Sequence, residues 1–166
     1  MVILGKALSG GVLPVSCVLA NKEIMLCIQP GEHGSTYGGN PLASAVGIAA
    51  LEVLQQEKLT ERALVLGERL RAGLRKINCP YITCIRGRGL LNAIVVDPQW
   101  ERTATEACYL LKERGVLAKY THHHIIRLAP PLCITEQEID DCLEIIKGVF
   151  EDLLTMKKED LPNVHH

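Results

Sequence analysis

Lys6 closes a short apolar run and is the residue best placed by its neighbours to act as a nucleophile. Residues 2–4 have the composition of a strand, and Gly10 and Gly11 allow a tight turn soon after the lysine. A lysine held at the mouth of a site is hard to solvate, which frees its amine for Schiff-base chemistry. The alternative is that Lys6 ends a strand and points to water.

A glycine-rich stretch over residues 29–40 is predicted to be a loop that contacts a phosphate group. Glycines let backbone N–H groups approach an anion, and Ser35 and Thr36 add hydroxyl donors. Asn40 and Pro41 are typical of a helix start, so the positive end of a helix dipole is expected nearby. The spacing fits no standard phosphate-binding motif, so an ordinary loop that precedes a capped helix is the alternative.

Arg127 lies within the apolar segment 125–131 and is a candidate ligand-binding residue. In a strand, Ile125, Arg127 and Ala129 share one face. A permanently charged guanidinium there requires an anionic partner, and its planar fork suits a carboxylate. The alternative is an edge strand from which Arg127 reaches water.

Three adjacent histidines, 122–124, do not predict a metal site, because neighbouring side chains on extended backbone point to opposite sides. We expect a solvated turn there and no bound metal.

The composition limits the partners. Apolar residues make up 48% of the 166-residue chain, charged residues 22%, and the net charge is −1, so neither nucleic acid nor a membrane is an expected partner. No apolar run is long enough to span a bilayer. The seven cysteines include no C-x-x-C pair, which is typical of a reducing compartment.

Hydrophobic periodicity and turn residues predict alternating strands and helices. Helix 41–56 is apolar on most of its circumference and is expected to be buried. Thr60 is expected to cap the second helix, and the last helix is expected to begin with a capping box at Thr135. The predicted strands are 2–4, 14–20, 82–85, 90–96, 116–119 and 125–129, and the predicted helices are 41–56, 60–77, 103–114 and one starting at 135.

These elements predict an α/β chain divided into four parts. Residues 1–57 form an incomplete α/β layer, 58–77 a linking helix, 78–154 a small α+β domain, and 155–166 a polar tail. Two strands and one apolar helix cannot cover their own apolar faces, so the first part is expected to expose apolar surface.

Four segments in this order resemble the class III, fold-type I, pyridoxal-phosphate-dependent aminotransferases. The resemblance extends to about residue 154. It implies the C-terminal part of that fold: the end of the large-domain sheet followed by the small α+β domain. The segments are residues 3–11, 30–42, 86–95 and 124–132.

The resemblance also implies a cofactor and roles for particular residues. Lys6 matches the lysine that forms a Schiff base with pyridoxal 5′-phosphate and then moves a proton. Thr36, beside Ser35, matches a threonine that binds the cofactor phosphate of a neighbouring subunit, which implies a homodimer or higher homo-oligomer. Arg127 matches an arginine that binds a carboxylate of 2-oxoglutarate.

The amino-acid sequences of residues 30–37 and 125–131 resemble most the family members that act on ornithine. The implied reaction transfers the δ-amino group of ornithine to 2-oxoglutarate and gives glutamate and glutamate 5-semialdehyde. The expected compartment is the cytoplasm, with the mitochondrial matrix as the alternative. Three alternatives for function stay open: a class III relative that acts on acetylornithine or 4-aminobutyrate, a catalytically incompetent C-terminal fragment or isoform, and a phosphate-binding module.

Overall fold

The computed structural model describes residues 1–161, which fall into two compact units, Met1–Leu59 and a second that begins at Thr60. The predicted tail, residues 155–166, therefore lies partly outside the described residues. No helix within residues 1–161 combines the length and the apolar character that crossing a membrane requires.

The first unit, which we call unit 1, contains a strand pair and two helices. Its strands are antiparallel, and Ile3 lies opposite Val18. The structure adds two short pieces that the sequence pattern did not predict, a 3-10 helix at Lys6–Ser9 and helix α1. The elements are β1 (Val2–Leu4), β2 (Cys17–Leu19), α1 (Lys22–Met25) and α2 (Pro41–Gln56).

Helix α2 begins as its sequence predicts. The Asn40 side chain accepts a hydrogen bond from the backbone N–H of Ala43 at 2.9 Å, and Pro41 occupies the first turn. An N-cap of this kind stabilises a helix by about 1 kcal/mol.

The prediction that α2 is buried is wrong for the described residues. Only Ala43 and Gly47 of the helix are buried, whereas Leu42, Ile48 and Leu51 are 65%, 59% and 51% exposed. The strands β1 and β2 do not cover the apolar circumference of α2. The expectation that the first part exposes apolar surface is confirmed, because sixteen of the twenty-four exposed large hydrophobic residues lie in unit 1.

The second unit, unit 2, is a four-stranded antiparallel sheet with three helices. The strands lie in the order β3-β4-β6-β5, so β6 is an interior strand. The elements are α3 (Leu59–Leu74), β3 (Ile82–Arg88), β4 (Leu91–Val96), α4 (Ala104–Glu113), β5 (Lys119–Thr121), β6 (Ile125–Leu128) and α5 (Glu136–Thr155), followed by a 3-10 turn at Lys158–Asp160.

Two predicted boundaries are corrected. Helix α3 begins at Leu59, and the Thr60 hydroxyl bonds the Glu61 carboxylate at 2.7 Å instead of capping the helix. The strand expected at 116–119 begins only at Lys119. Gly115 has φ +88°, and the Val116 N–H donates to the Leu111 carbonyl at 2.9 Å, so this segment still belongs to the end of α4.

Capping boxes open α4 and α5. The hydroxyls of Thr103 and Thr135 accept from the N–H groups of Glu106 and Glu138, and each glutamate accepts from the N–H of its threonine. The box predicted at Thr135 is confirmed.

One face of the sheet carries the core of unit 2. Ile94 and Ile126 lie opposite each other on β4 and β6 and are fully buried. The opposite face of the sheet is not covered by the helices. The helical side chains that complete the core include Leu66, Leu70, Leu74, Leu110, Leu111, Ile139, Ile146, Val149, Phe150 and Leu153.

Candidate active site

Lys6 has an unusual backbone conformation. It follows Gly5, opens the 3-10 helix and has φ +54°, in the left-handed region that non-glycine residues seldom adopt. The turn is held by hydrogen bonds from Leu8 N–H to the Gly5 carbonyl at 3.2 Å and from Gly10 N–H to the Ala7 carbonyl at 3.0 Å. Such strain costs about 1–2 kcal/mol and is often found at functional sites.

Lys6 and Ser35 line the same hollow in unit 1, although twenty-eight residues separate them in the chain. The hollow has a volume of about 610 Å³, and no acidic residue lines it. Thr36 follows Ser35 and is exposed. The structure therefore brings the candidate nucleophile to the glycine-rich loop. The rest of the lining is Pro14, Val15, Ser16, Cys17, Tyr37, Gly38, Gly39, Asn40, Ala43 and Ser44.

The loop beside Lys6 is locally ordered by its own side chains. The Ser35 hydroxyl accepts from the Gly38 N–H at 3.0 Å, and the Asn40 amide donates to the Tyr37 carbonyl at 2.9 Å. Gly39 has φ +67°, a conformation that favours glycine. The side-chain oxygen of Asn40 already accepts a hydrogen bond from the Ala43 N–H, so any phosphate at this end of α2 has to use the remaining N–H donors.

The lining of this hollow fits a cofactor that carries both an aldehyde and a phosphate. A primary amine can bind the aldehyde, and hydroxyl and backbone N–H donors of a glycine-rich loop can bind the phosphate. The volume lies in the range of small-molecule sites. Lys6 itself is exposed, so residues 1–161 do not exclude water from its amine.

Arg127 lies on the interior strand β6 and not on an edge strand, although its side chain is exposed to water as that alternative expected. Its side chain is on the exposed face of the sheet, and its neighbours across the strands are Ala93 on β4 and Lys119 on β5. The Lys119 ammonium is 4.8 Å from the centroid of the Tyr120 ring.

Arg86 and Arg88 line the same hollow in unit 2 as Arg127. Its volume is about 540 Å³, and Thr121 and His122 also contribute. Within residues 1–161, the structure gives none of these three arginines an ion pair. The sequence analysis assigned no role to Arg86 or Arg88, because only the strand register reveals that they lie near Arg127.

The β3–β4 turn that carries Arg86 and Arg88 is fixed to helix α3 by Arg71. This guanidinium, which is only 7% exposed, donates to the Gly89 carbonyl at 2.9 Å and to the Asn92 side-chain oxygen at 2.6 Å. The Glu68 carboxylate forms an ion pair with the Arg71 guanidinium, with 2.9 Å between Oε2 and Nη2. Hydrogen bonds from Arg75 and Arg71 hold the pKa of Glu68 below its usual value.

The histidines 122–124 form the turn between β5 and β6, and His122 and His123 have positive φ. Within the described part of the chain, no three His, Cys, Asp or Glu side chains are grouped so that they could hold a metal ion.

Comparison with known proteins agrees with this geometry. The sequence profile of the family "aminotransferase class-III" matches residues 1–150, so the chain belongs to the class III aminotransferases. It is 58% identical over 159 residues to the ornithine aminotransferase of Emericella nidulans, covering 95% of this chain and 35% of that protein. The chain thus spans about a third of the length of the curated relatives it matches.

Solved structures show the same fold. The ornithine aminotransferase of Toxoplasma gondii, a structure with partial occupancy of PLP at its active site, matches with a TM-score of 0.87 and 44% identity over 92% of this chain and 36% of that one. The acetylornithine aminotransferase of Elizabethkingia anophelis matches with a TM-score of 0.84 and 55% identity, over 90% and 38%. The predicted fold class, the α/β fold of the fold-type I transferases, is confirmed.

Proposed function

We propose that these residues belong to an ornithine δ-aminotransferase, which moves the δ-amino group of ornithine to 2-oxoglutarate and gives glutamate 5-semialdehyde and glutamate. One observation supports this most directly: in a chain of the class III family, Lys6 and the loop residue Ser35 line the same hollow. The similarity to ornithine aminotransferases supports the choice of amino donor.

The proposed cofactor is pyridoxal 5′-phosphate, which supplies an electron sink for the substrate carbon. Lys6 would hold the cofactor through its aldehyde carbon, and its amine would be the group that moves a proton at the substrate carbon. Ser35 and Thr36 donate to a phosphate group. Because the matching threonine of the family binds the phosphate of a neighbouring subunit, the proposed assembly is a homodimer or a higher homo-oligomer.

Arg127 is the proposed contact for a carboxylate of 2-oxoglutarate or glutamate. Its strand is paired on both sides, which fixes the backbone that carries the guanidinium, and Arg127 has no ion-pair partner within residues 1–161. A charge-assisted, bidentate hydrogen bond orients a carboxylate as well as binding it.

The proposed layout is that of the sequence analysis: the end of a cofactor-binding domain at 1–57, a linking helix at 58–77, a small domain at 78–154 and a tail at 155–166. The proposed compartment is the cytoplasm. Because relatives from Drosophila melanogaster and Arabidopsis thaliana are named mitochondrial, the matrix is the alternative. Limited proteolysis that cuts first near residues 57–60 would agree with this layout.

Chemical trapping tests the role of Lys6. The chain is incubated with pyridoxal 5′-phosphate, reduced with borohydride and digested for mass spectrometry. We expect Lys6 to be modified well before Lys22 and Lys76, which are exposed lysines outside the hollow and serve as internal controls. Equal modification of all three would contradict the proposal.

Comparison of amino donors tests the substrate. Ornithine, acetylornithine and 4-aminobutyrate are supplied with 2-oxoglutarate to the protein carrying these residues, and glutamate is measured. Ornithine should give the highest kcat/KM. A higher value for acetylornithine would assign the protein to that branch of the family.

A second candidate is a chain that associates with other subunits and has no catalytic activity. The exposed apolar residues of unit 1 favour it, because contiguous apolar surface is typical of interaction sites. Size-exclusion chromatography with light scattering tests it. A monomer that binds no hydrophobic dye would contradict it.

A further inference from the structure

We propose that Gly47 and Ala50 of helix α2 are positioning residues for Lys6, because their small size lets the chain that follows Lys6 lie directly against the helix. Two residues in the middle of α2 thereby hold the Lys6 turn beside the loop that contains Ser35. This role rests on the proposed function of Lys6 as the residue that binds the cofactor.

The 3-10 turn that Lys6 opens packs against α2. Ser9, the last residue of the turn, is only 2% exposed, although most residues of unit 1 are exposed. The next residue, Gly10, approaches the helix at Ala50: a Cβ atom built on Gly10 would be 3.6 Å from the Cβ atom of Ala50, an ordinary van der Waals contact. The end of the Lys6 turn is therefore supported by the helix.

A second contact lies one turn earlier on α2. Gly47 is buried, and a Cβ atom built on it would be 3.8 Å from Cγ1 of Val15. Val15 lines the hollow that also contains Lys6 and Ser35. Because positions 47 and 50 share one face of the helix, the chain between the Lys6 turn and Val15 runs along that face and returns to the hollow.

The same helix also carries the glycine-rich loop. Asn40 caps its first turn, and Ala43 and Ser44 line the hollow with Lys6. The loop that contains Ser35 is thus fixed at the beginning of α2, and the Lys6 turn is fixed at its middle. The φ of +54° at Lys6 is sterically disfavoured, so the turn needs such a support.

The size of the side chain at position 47 determines whether the contact can form. Alanine fits there, because a contact of 3.8 Å is ordinary, whereas leucine would reach into the space that Val15 occupies. Leucine is a good helix former, so α2 itself should be kept. Displacement of the chain from the helix would move Lys6 away from Ser35, and its amine would then react like that of any exposed lysine.

Leucine substitutions at neighbouring positions of α2 test this inference. Gly47→Leu and Ala50→Leu alter the face that supports the chain after Lys6. Ala49→Leu is the matched control, because Ala49 is exposed and lies in the same turn of the helix. Gly47→Ala adds a side chain that the contact tolerates, so it shows whether size is what matters.

Two measurements are made on each variant of the 166-residue chain. After incubation with pyridoxal 5′-phosphate and reduction with borohydride, mass spectrometry gives the ratio of modified Lys6 to modified Lys22, an exposed lysine outside the hollow. Hydrogen exchange is followed separately over residues 2–19 and over α2.

We expect Gly47→Leu and Ala50→Leu to lower the ratio towards one and to speed exchange over residues 2–19 about tenfold. Exchange of α2 should stay as it is in Ala49→Leu, and Gly47→Ala should keep the wild-type ratio. The inference is overturned when neither leucine variant exchanges faster over residues 2–19 than Ala49→Leu, or when α2 exchanges faster by the same factor in both.

A faster exchange that leaves the ratio unchanged would also overturn it, because the support would then have no effect on the amine. A ratio of one in the wild type would instead contradict the proposed role of Lys6. The exchange data would in that case still decide whether Gly47 and Ala50 support the turn.

Discussion

Substitution of Gly67 by alanine should destabilise unit 2, although alanine favours a helix. Gly67 lies in α3 against the β3–β4 turn, and a Cβ atom there would be 1.8 Å from the Gly89 carbonyl oxygen and 2.3 Å from its carbon. Ordinary contacts begin at 3.4 Å, and the opposing atoms are backbone, so the helix and the turn have to separate.

The expected magnitude follows from three contributions. Overpacking costs about 1–3 kcal/mol. Separation also weakens the hydrogen bond from Arg71 to Gly89, and hydrogen bonds to charged groups contribute about 1.5–3 kcal/mol. The gain in helix propensity offsets about 1 kcal/mol. The free energy of unfolding of unit 2 should therefore fall by about 1.5–5 kcal/mol.

Trp100 allows this loss to be measured for unit 2 alone. It is the single tryptophan of the chain, and it stacks on Tyr81 with ring centroids 4.7 Å apart. Urea unfolding followed by its fluorescence should show a lower midpoint for Gly67→Ala. Gly148→Ala in α5 is the control: the nearest atom to its Cβ is the mobile end of Arg114 at 3.2 Å, so its midpoint should be unchanged or higher. Equal stability of Gly67→Ala and Gly148→Ala would refute the expected clash between α3 and the turn.

Three further predictions concern single side chains. Glycine adopts the φ of +54° at position 6 without steric strain from a Cβ atom, so Lys6→Gly should make residues 2–19 locally more stable than Lys6→Ala by about 1 kcal/mol. Slower hydrogen exchange over these residues would show this, and equal exchange would show that the strain is absent. Neither variant should be trapped with pyridoxal 5′-phosphate at position 6. The backbone N–H and the hydroxyl of Thr135 lower the pKa of Glu138, so its stabilising effect is present above the usual value of 4.5 and is lost as the pH falls through the lowered value. Glu138→Gln should therefore flatten the fall in the Trp100 unfolding midpoint between about pH 5 and pH 3, and an unaltered slope would refute this. Burial raises the pKa of Cys108 to about 11, so iodoacetamide at pH 8 should label the exposed Cys27, Cys84 and Cys133 first, as read by mass spectrometry; early labelling of Cys108 would contradict its burial.

The parts of the fold that could be predicted are those specified by local chemistry. Asn40 and Thr135 cap helices because each needs only a short polar side chain and a nearby N–H, and both caps can be recognised from a few residues of sequence. Short apolar runs close to turn residues likewise predicted β4 and β6. The glycine-rich segment was predicted as a loop for the same reason, since glycine supports the φ of +67° at Gly39.

The features that escaped prediction depend on partners distant in the chain. The apolar composition of α2 predicts burial, but burial depends on what packs against the helix, and within residues 1–161 most of its apolar side chains stay exposed. The alignment of Arg86 with Arg127 depends on strand register, and a shift of one residue would place either side chain on the opposite face. A lysine side chain does not indicate a positive φ, so the left-handed conformation of Lys6 could not be predicted from the sequence.

The two units hold their candidate residues by different means. Apart from Ala43 and Leu59, the buried apolar residues of the described chain all lie in unit 2, where the core beneath the sheet fixes the strands that carry Arg86 and Arg127. Lys6 and Ser35 depend instead on local devices: a strand pair, a 3-10 turn and a capped helix. Short elements without a core are marginally stable in water, because ordering the backbone costs more than their hydrogen bonds return. Core substitutions in unit 2 should therefore weaken anion binding by loosening the strands, whereas the geometry of Lys6 should respond mainly to changes at Gly5, Gly10 and Asn40.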